Sequence, residues 1–235
     1  MIMGKHPVKE LVLSGAGISK LWVQKGLHGF EEIVKQARAA GAKVVVAEKR
    51  VMDKIADGER HQGIMAEAQA FDYTPLDEIL ASGQDGKRLI ILLDGIKDPH
   101  NLGSILRVAE CAGATGVVIP SRRAVEVNDT AIKTSAGAAS HVKVAKVVNL
   151  NDAIRELKDQ FFTVIAVELG GENIYDAKFS GDIALVIGDE GEGVSALAKK
   201  LSDRVVTIPM SGKINSLNAS VATGVAVFEV LRKLK

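Results

Sequence analysis

Apolar residues in this chain follow two regimes. Over the first seventy residues they come in short clusters set against polar faces. Lys20–Gln24 reads as a strand. Glu31–Ala40 reads as a helix, with Ile33, Ala37 and Ala40 on one face and Gly41 as its stop. Lys43–Ala47 is a Val-rich strand, Val51–Ala56 a short helix and Gly63–Ala70 another strand. Strands alternating with helices predict a small α/β unit over residues 1–70. The next stretch, 71–86, is polar, carries Pro75 and ends in Gly and Asp. It reads as a linker with one helical stretch, Leu76–Ala81.

From residue 87 the apolar runs become continuous, as in strands buried on both faces of a parallel sheet. They fall at Leu89–Asp94, Gly116–Pro120, Phe162–Val167, Ile183–Ile187 and Val205–Ile208. Helical periodicity lies between and after them, at Leu102–Ala112, Leu150–Lys158, Val194–Leu201 and Ser216–Lys233. This alternation over 87–235 predicts a second α/β unit, an open parallel sheet covered by helices.

Composition narrows the classes. The 235 residues are 47% hydrophobic and 25% charged, which argues against extensive disorder. The net charge is +1, divided as −1 over 1–86 and +2 over 87–235, so neither unit is a basic domain. Affinity for RNA would have to come from local patches, shape and avidity. Aromatics at 4% leave little for a stacking platform. A single cysteine, Cys111, excludes an internal disulfide and a multi-cysteine zinc site, and the five histidines show no paired ligand spacing, so no metal is expected. The N-terminus has no signal-peptide pattern and no apolar run reaches membrane-spanning length, so a cytoplasmic protein is expected.

Ligands of α/β sheets bind beyond the carboxyl ends of the strands, and three such loops stand out. After Asp94 the chain reads GIKDPHN, then a helix carrying Arg107; Asp98 or Asn101 suits the cap. After Ile187 comes Gly188-Asp-Glu190-Gly-Glu-Gly193. Its glycines allow close backbone approach, but its acids repel phosphate, so a ligand carrying positive charge fits better. It has neither a P-loop ending nor a dinucleotide fingerprint. After Ile208 come Gly212, Ser216, Leu217 and Asn218, ahead of a long helix. Ser216 or Asn218 suits a cap, and the two could also hold a ribose or a base edge.

Taken in order, Asn101-x-Gly103-x-x-x-Arg107, Val186-Ile-Gly-Asp-Glu190-Gly-Glu-Gly193 and Ile208-Pro-Met-Ser-Gly212 with Ser216-Leu-Asn218-Ala-Ser-Val-Ala222 resemble the three motifs of the SpoU (TrmH-like) branch of the SPOUT RNA methyltransferases. Gly4-Lys-His-Pro-Val8 and His61-Gln-Gly-Ile64 resemble the start and end of the N-terminal RNA substrate-binding domain of RlmB-type members. The resemblance covers nearly the whole chain. It departs at Ala219, where valine is expected, a mild change.

The resemblance implies a SPOUT catalytic domain with a deep trefoil knot, a homodimer, and S-adenosylmethionine as methyl donor. The reaction it implies is 2′-O-methylation of a guanosine in 23S ribosomal RNA, with transfer RNA as the alternative substrate. It assigns cofactor binding to Gly188, Ile208 and Leu217, to Leu169 and Gly170 in a strand-end loop, and to Gly212. It makes Arg107 the central catalytic residue, supported by Glu190, Ser216, Asn218 and Asn101. Arginine is effectively always protonated and is a poor general base. Arg107 is therefore expected to bind the target phosphate and 2′-oxygen, oriented by Glu190, with substrate phosphate as proton acceptor; Glu190 as a direct base is the rival.

Other residues weigh less. Cys111 is expected in the core. His61 suits an RNA contact or a structural hydrogen bond about equally. Arg122 and Arg123, with Lys133, Lys143 and Lys146, could form a phosphate patch. Two further readings remain: an RNA-binding module that has lost catalysis, against which Arg107, Glu190, Ser216 and Asn218 are all present, and a generic nucleotide-binding α/β protein.

Overall fold

The computed structural model describes residues 1–13, 17–82, 87–213 and 216–234. The chain divides into two compact units, Met1–Asp72 and Tyr73–Lys235.

The N-terminal unit contains β1 (Ile2–Met3), α1 (Lys5–Leu13), β2 (Ile18–Gln24), α2 (Glu31–Ala39), β3 (Lys43–Ala47), α3 (Lys49–Ala56) and β4 (Ile64–Ala68). Its sheet runs β1-β4-β2-β3, with β2 and β3 parallel and β4 antiparallel to both its neighbours. Val8, Leu21, Ala37 and Ile64 are fully buried between α1, α2 and the sheet. Met52, Ala56 and Met65 form a smaller cluster under α3. The sequence pattern omits β1 and α1. A two-residue strand has no measurable period, and Pro7 hides a helix whose first turn tolerates it.

The C-terminal unit contains α4 (Leu76–Ala81), β5 (Leu89–Asp94), α5 (Pro99–Cys111), β6 (Gly116–Pro120), α6 (Asp129–Thr134), a 3₁₀ turn (Ala138–Ser140), β7 (Val144–Val147), α7 (Leu150–Asp159), β8 (Thr163–Asn173), β9 (Ile183–Gly188), α8 (Ala196–Leu201), β10 (Arg204–Thr207) and α9 (Ala219–Leu234). Six parallel strands lie in the order β10-β8-β9-β5-β6-β7. Every residue from Leu89 to Leu93 is buried. Ile90 and Leu92 join Ile154 and Leu157 of α7 and Ala198 of α8 in one core, while α5 and α9 pack together and α9 also meets β9. Each fully buried Leu or Ile contributes roughly 1.5–3 kcal/mol.

Residues 73–82, read from sequence as linker, belong to this unit. Ile79 of α4 is fully buried in its core, and the Thr74 N–H donates to the Val144 carbonyl at 2.8 Å. The structure also adds α6 and β7, which are too short to show a period; β7 is an edge strand interrupted by Lys146.

Two features of the sheet position the site. Strand order reverses between β5 and β9, where Asp94 pairs with Gly188, and such a switch opens a crevice at the carboxyl ends. Beside it, β8 does not stop at Val167. Its pairing with β10 jumps from Ala166–Val205 to Glu172–Val206, so residues 167–171 bulge outward. Thr207 staples the bulge: its Oγ1 donates to the Glu168 carbonyl and accepts from the Gly171 N–H, both at 2.7 Å. Among the described residues no helix is long and apolar enough to cross a membrane.

Candidate active site

Three chain segments converge on the carboxyl ends of β5, β8 and β9. The first is the start of α5. The Asp98 carboxylate caps it, accepting from the His100 N–H at 2.9 Å, with Pro99 in the first turn. Capping by Asp98 leaves Asn101 available for the β9 loop. Gly103 permits the close approach of α5 to α6: a Cβ there would lie 2.5 Å from the Ala131 carbonyl oxygen and 2.7 Å from Thr134 Cβ.

The second segment is the glycine-rich loop after β9. It folds back on itself, with the Gly193 N–H donating to the Asp189 carbonyl at 2.9 Å. A Cβ on Gly188 would collide with the Gly193 backbone, and one on Gly193 with the Glu168 carboxylate. Glu168, at the tip of the β8 bulge, accepts from the Val194 N–H at 2.7 Å and the Leu169 N–H at 2.9 Å.

The third segment is the entry to α9. Asn218 has two functions there. Its Oδ1 caps the helix, accepting from the Ser220 and Val221 N–H groups at 3.0 and 3.3 Å and from the Ser220 hydroxyl at 2.6 Å. Its Nδ2 donates to Glu190 Oε1 at 2.6 Å and to Asn101 Oδ1 at 2.8 Å. Glu190 Oε1 also accepts from Asn101 Nδ2 at 2.9 Å and the Ala219 N–H at 3.2 Å. One residue from each sequence motif thus meets at a single carboxylate oxygen.

Between these segments lies a cavity of about 230 Å³. Leu169, Gly188, Ile208, Ser216 and Leu217 line it, as do Glu190 and, unanticipated, Met210 and Ala222. Gly170 and Gly212 do not line it; Gly170, at φ +81°, turns the chain in the β8 bulge. Thr207 was also unanticipated; its position as the last residue of a strand beside a glycine-bearing bulge is its only signal in the sequence.

Glu190 does not pair with Arg107, contrary to expectation. Arg107 lies six residues after Asn101, about 9 Å along α5 and 120° around it. It is exposed, and among the described residues it has no hydrogen-bond or ion-pair partner. Cys111, one turn further, is also exposed rather than in the core, and shares a cavity with Phe228 of α9. His61 is buried, with Nδ1 accepting from the Gly63 N–H at 3.0 Å and Nε2 2.9 Å from Asp53 Oδ1. Both ring nitrogens are used within the N-terminal unit. Lys146 is paired with Glu126 at 2.5 Å and lies over Tyr73, so it adds little to a phosphate patch.

Residues 88–228 match the model of the SpoU rRNA methylase family, and residues 1–74 that of RNA 2′-O ribose methyltransferase substrate binding. A TrmH-family tRNA/rRNA methyltransferase of Staphylococcus haemolyticus is 40% identical over 99% of this chain and 95% of its own. An AdoMet-bound rRNA methyltransferase from Sinorhizobium meliloti superposes with a TM-score of 0.66 at 24% identity, covering 99% of this chain and 87% of that one. The A. aeolicus TrmH/SpoU tRNA modifying enzyme gives a TM-score of 0.57 at 29% identity, over 67% of this chain and 80% of that one. The chain belongs to the SpoU family of RNA methyltransferases.

Proposed function

We propose that this protein uses S-adenosylmethionine to methylate a ribose 2′-hydroxyl, and that its substrate is a guanosine of 23S ribosomal RNA, as in RlmB-type enzymes. The observation that carries the activity is the meeting of Asn101, Glu190 and Asn218 at the mouth of the 230 Å³ cavity. The N-terminal substrate-binding match and the near-complete cover by the rRNA methyltransferase favour ribosomal over transfer RNA. The tRNA modifying enzyme spans two thirds of this chain.

The cavity's chemistry suits the methyl donor. Ile208, Met210, Leu217 and Ala222 offer an apolar wall for an adenosine, and Glu168, Asp189, Glu190 and Glu192 surround it with negative charge that favours a cation. When bound, S-adenosylmethionine supplies a methyl group already activated by its sulfonium. The protein then needs to align the 2′-oxygen and provide for its proton. Glu190 Oε1 already receives three N–H groups, so its role is to hold Asn101 and Asn218. Arg107 binds the phosphate and 2′-oxygen of the target, and a phosphate oxygen takes the proton.

Because Arg107 points away from Glu190 around α5, we assign it to the site of a second copy of the chain. That assignment fits a homodimer through the face where Cys111 and the half-exposed Phe228 lie. We also propose, from the family resemblance, that the C-terminal unit is knotted, and we place the protein in the cytoplasm.

The test offers methyl-labelled S-adenosylmethionine with unmodified 23S RNA and unmodified transfer RNA, mapping label by resistance to alkaline cleavage. A 2′-O-methylguanosine in 23S RNA alone supports the proposal. Label in transfer RNA moves the substrate, and no label in either, with cofactor bound, refutes catalysis on naked RNA.

A further inference from the structure

A second cavity, of about 1010 Å³, opens on the other side of the 188–193 loop at the carboxyl ends of β5, β6 and β7. It shares Asp189, Glu192 and Gly193 with the first, so one loop is the wall between them. Three cations reach it: Lys97 from the β5–α5 loop, and Arg122 and Arg123 from the β6–α6 loop. The two loops are tied together, since the Val125 N–H donates to the Ile96 carbonyl at 2.8 Å.

The arginines are unspent. Both are exposed, and among the described residues neither has a carboxylate within 4 Å, unlike Arg88, Arg155, Arg204 and Arg232. Arg123 sits at φ +59°, a left-handed conformation that a long side chain adopts at a cost. The acids of this cavity are occupied instead. Asp94 accepts from the Ser195 N–H at 2.8 Å, Asp189 from the Gly191 N–H at 3.2 Å, and Glu192 holds Lys97 at 3.0 Å. The acids lining this cavity are thus held by fixed donors, while Arg122 and Arg123 have no carboxylate partner among the described residues.

One more feature fits a nucleotide rather than a bare anion. Val148 is 83% exposed and Leu197 46%, apolar surface at the cavity that a base can cover.

We propose that this cavity is the channel for the RNA strand next to the methylated nucleotide, with Arg122 and Arg123 holding backbone phosphates and the apolar surface of Val148 and Leu197 covered by a base. The assignment rests on the proposed activity, and it names residues outside the three family motifs. RNA entering here meets the cofactor cavity across a single loop.

The test compares the full chain with an Arg122→Ala/Arg123→Gly double variant. Glycine at 123 removes the charge while relieving the left-handed backbone, so thermal stability is expected to hold or rise. The readouts are KM for RNA, cofactor affinity by calorimetry, and the salt dependence of RNA binding. The expected result is a KM for RNA raised roughly tenfold, unchanged cofactor affinity, and a log–log salt slope reduced by about one unit per arginine. An Arg122→Lys/Arg123→Lys variant recovers most of the affinity if the contact is to phosphate. An unchanged KM and salt slope overturn the channel. So does loss of cofactor binding in the double variant that the lysine pair does not reverse, since the arginines then serve the fold. If the wild-type chain methylates neither RNA, the proposed function fails on its own. The salt slope of RNA binding then decides the channel separately.

Discussion

Asn218 is the residue whose replacement best separates structure from catalysis, because its two side-chain atoms do different work. Oδ1 caps α9, and Nδ2 clamps Glu190 and Asn101. Asn218→Ser keeps an oxygen for the cap, so the capping contribution changes by only a few tenths of a kcal/mol. It loses both clamp bonds. One is to a carboxylate and one to an amide, both at exposed side chains, so low-end values apply. About 1.5 and 0.5 kcal/mol sum to about 2 kcal/mol. Expressed wholly in the transition state, that is roughly a 30-fold loss of kcat/KM. Asn218→Ala loses the clamp and the cap, adding about 1 kcal/mol of instability, or roughly 2–4 °C in Tm. Asn218→Asp keeps the cap and suits the helix dipole, but it sets a second carboxylate against Glu190, costing at least about 1 kcal/mol more. The expected order of activity is wild type, then Ser, then Asp; Ser and Asp both melt below wild type through loss of the clamp, and Ala melts below Ser through loss of the cap as well. Methyl-transfer kinetics and differential scanning calorimetry on the four proteins check this. A Ser variant with wild-type kcat/KM, or an Asp variant as active as wild type, refutes the clamp.

Three further outcomes are expected. Gly103→Ala places a methyl against the α6 backbone, which cannot yield as a flexible side chain would; a net loss of about 1–2 kcal/mol is expected after the helix-propensity gain, and an unchanged Tm would disprove the tight contact. Arg88 binds Asp182 through both side chains at 2.6–2.8 Å and stacks 4.5 Å from the Phe162 ring; Asp182→Ala leaves the guanidinium mostly buried, and is expected to cost about 2–3 kcal/mol, or roughly 4–12 °C in a melt, with a drop under 2 °C against it. At the end of α9, hydrogen bonds from Arg232 and then Lys233 hold the Glu229 carboxyl down from 4.5 to about 2. A lowered folded-state value stabilises above the unfolded value and is lost as pH falls from about 4.5 through 2, so Glu229→Gln is expected to flatten Tm against pH in that window. A parallel pair of curves would refute it.

Much of the site was legible because its chemistry lies in contiguous loops after strongly apolar strands. Asn101, Glu190 and Asn218 could be picked out one by one from cap and turn positions, yet nothing in their spacing shows that they share one carboxylate oxygen. That contact depends on strand order. β9 enters the sheet between β8 and β5, bringing Glu190 beside Asn101 across 89 residues of chain. The pairing expected for Glu190 and Arg107 failed for a simpler reason, helix phase: six residues is not a whole number of turns. Cys111 was misplaced by the same oversight, since its apolar neighbours Ala109 and Ala112 do not define the face it occupies. The apolar run was read as ending at Val167, with Leu169 and Gly170 in a strand-end loop, whereas Thr207 from β10 supplies the bonds that let the pairing of β8 resume.

The distribution of charge around the 188–193 loop explains how an almost neutral chain can serve a polyanion. The loop carries Asp189, Glu190 and Glu192, which by themselves repel RNA from the crevice. Each acid is given a fixed partner: Asp189 a backbone N–H, Glu190 the two asparagines, and Glu192 the Lys97 ammonium, whose pKa its hydrogen bond and charge raise. On the proposed function, these carboxylates lie near a cationic methyl donor with their acceptor atoms engaged, while Arg122 and Arg123 have no carboxylate partner among the described residues. The Lys97–Glu192 pair spans both sides. On the proposed function, a phosphate that draws Lys97 away frees Glu192 beside the first cavity, and the two cavities are then expected to be coupled through one exposed ion pair. Lys97→Met tests the coupling: cofactor affinity measured with and without RNA differs in the wild-type chain and converges in the variant, and equal differences in both would rule the coupling out.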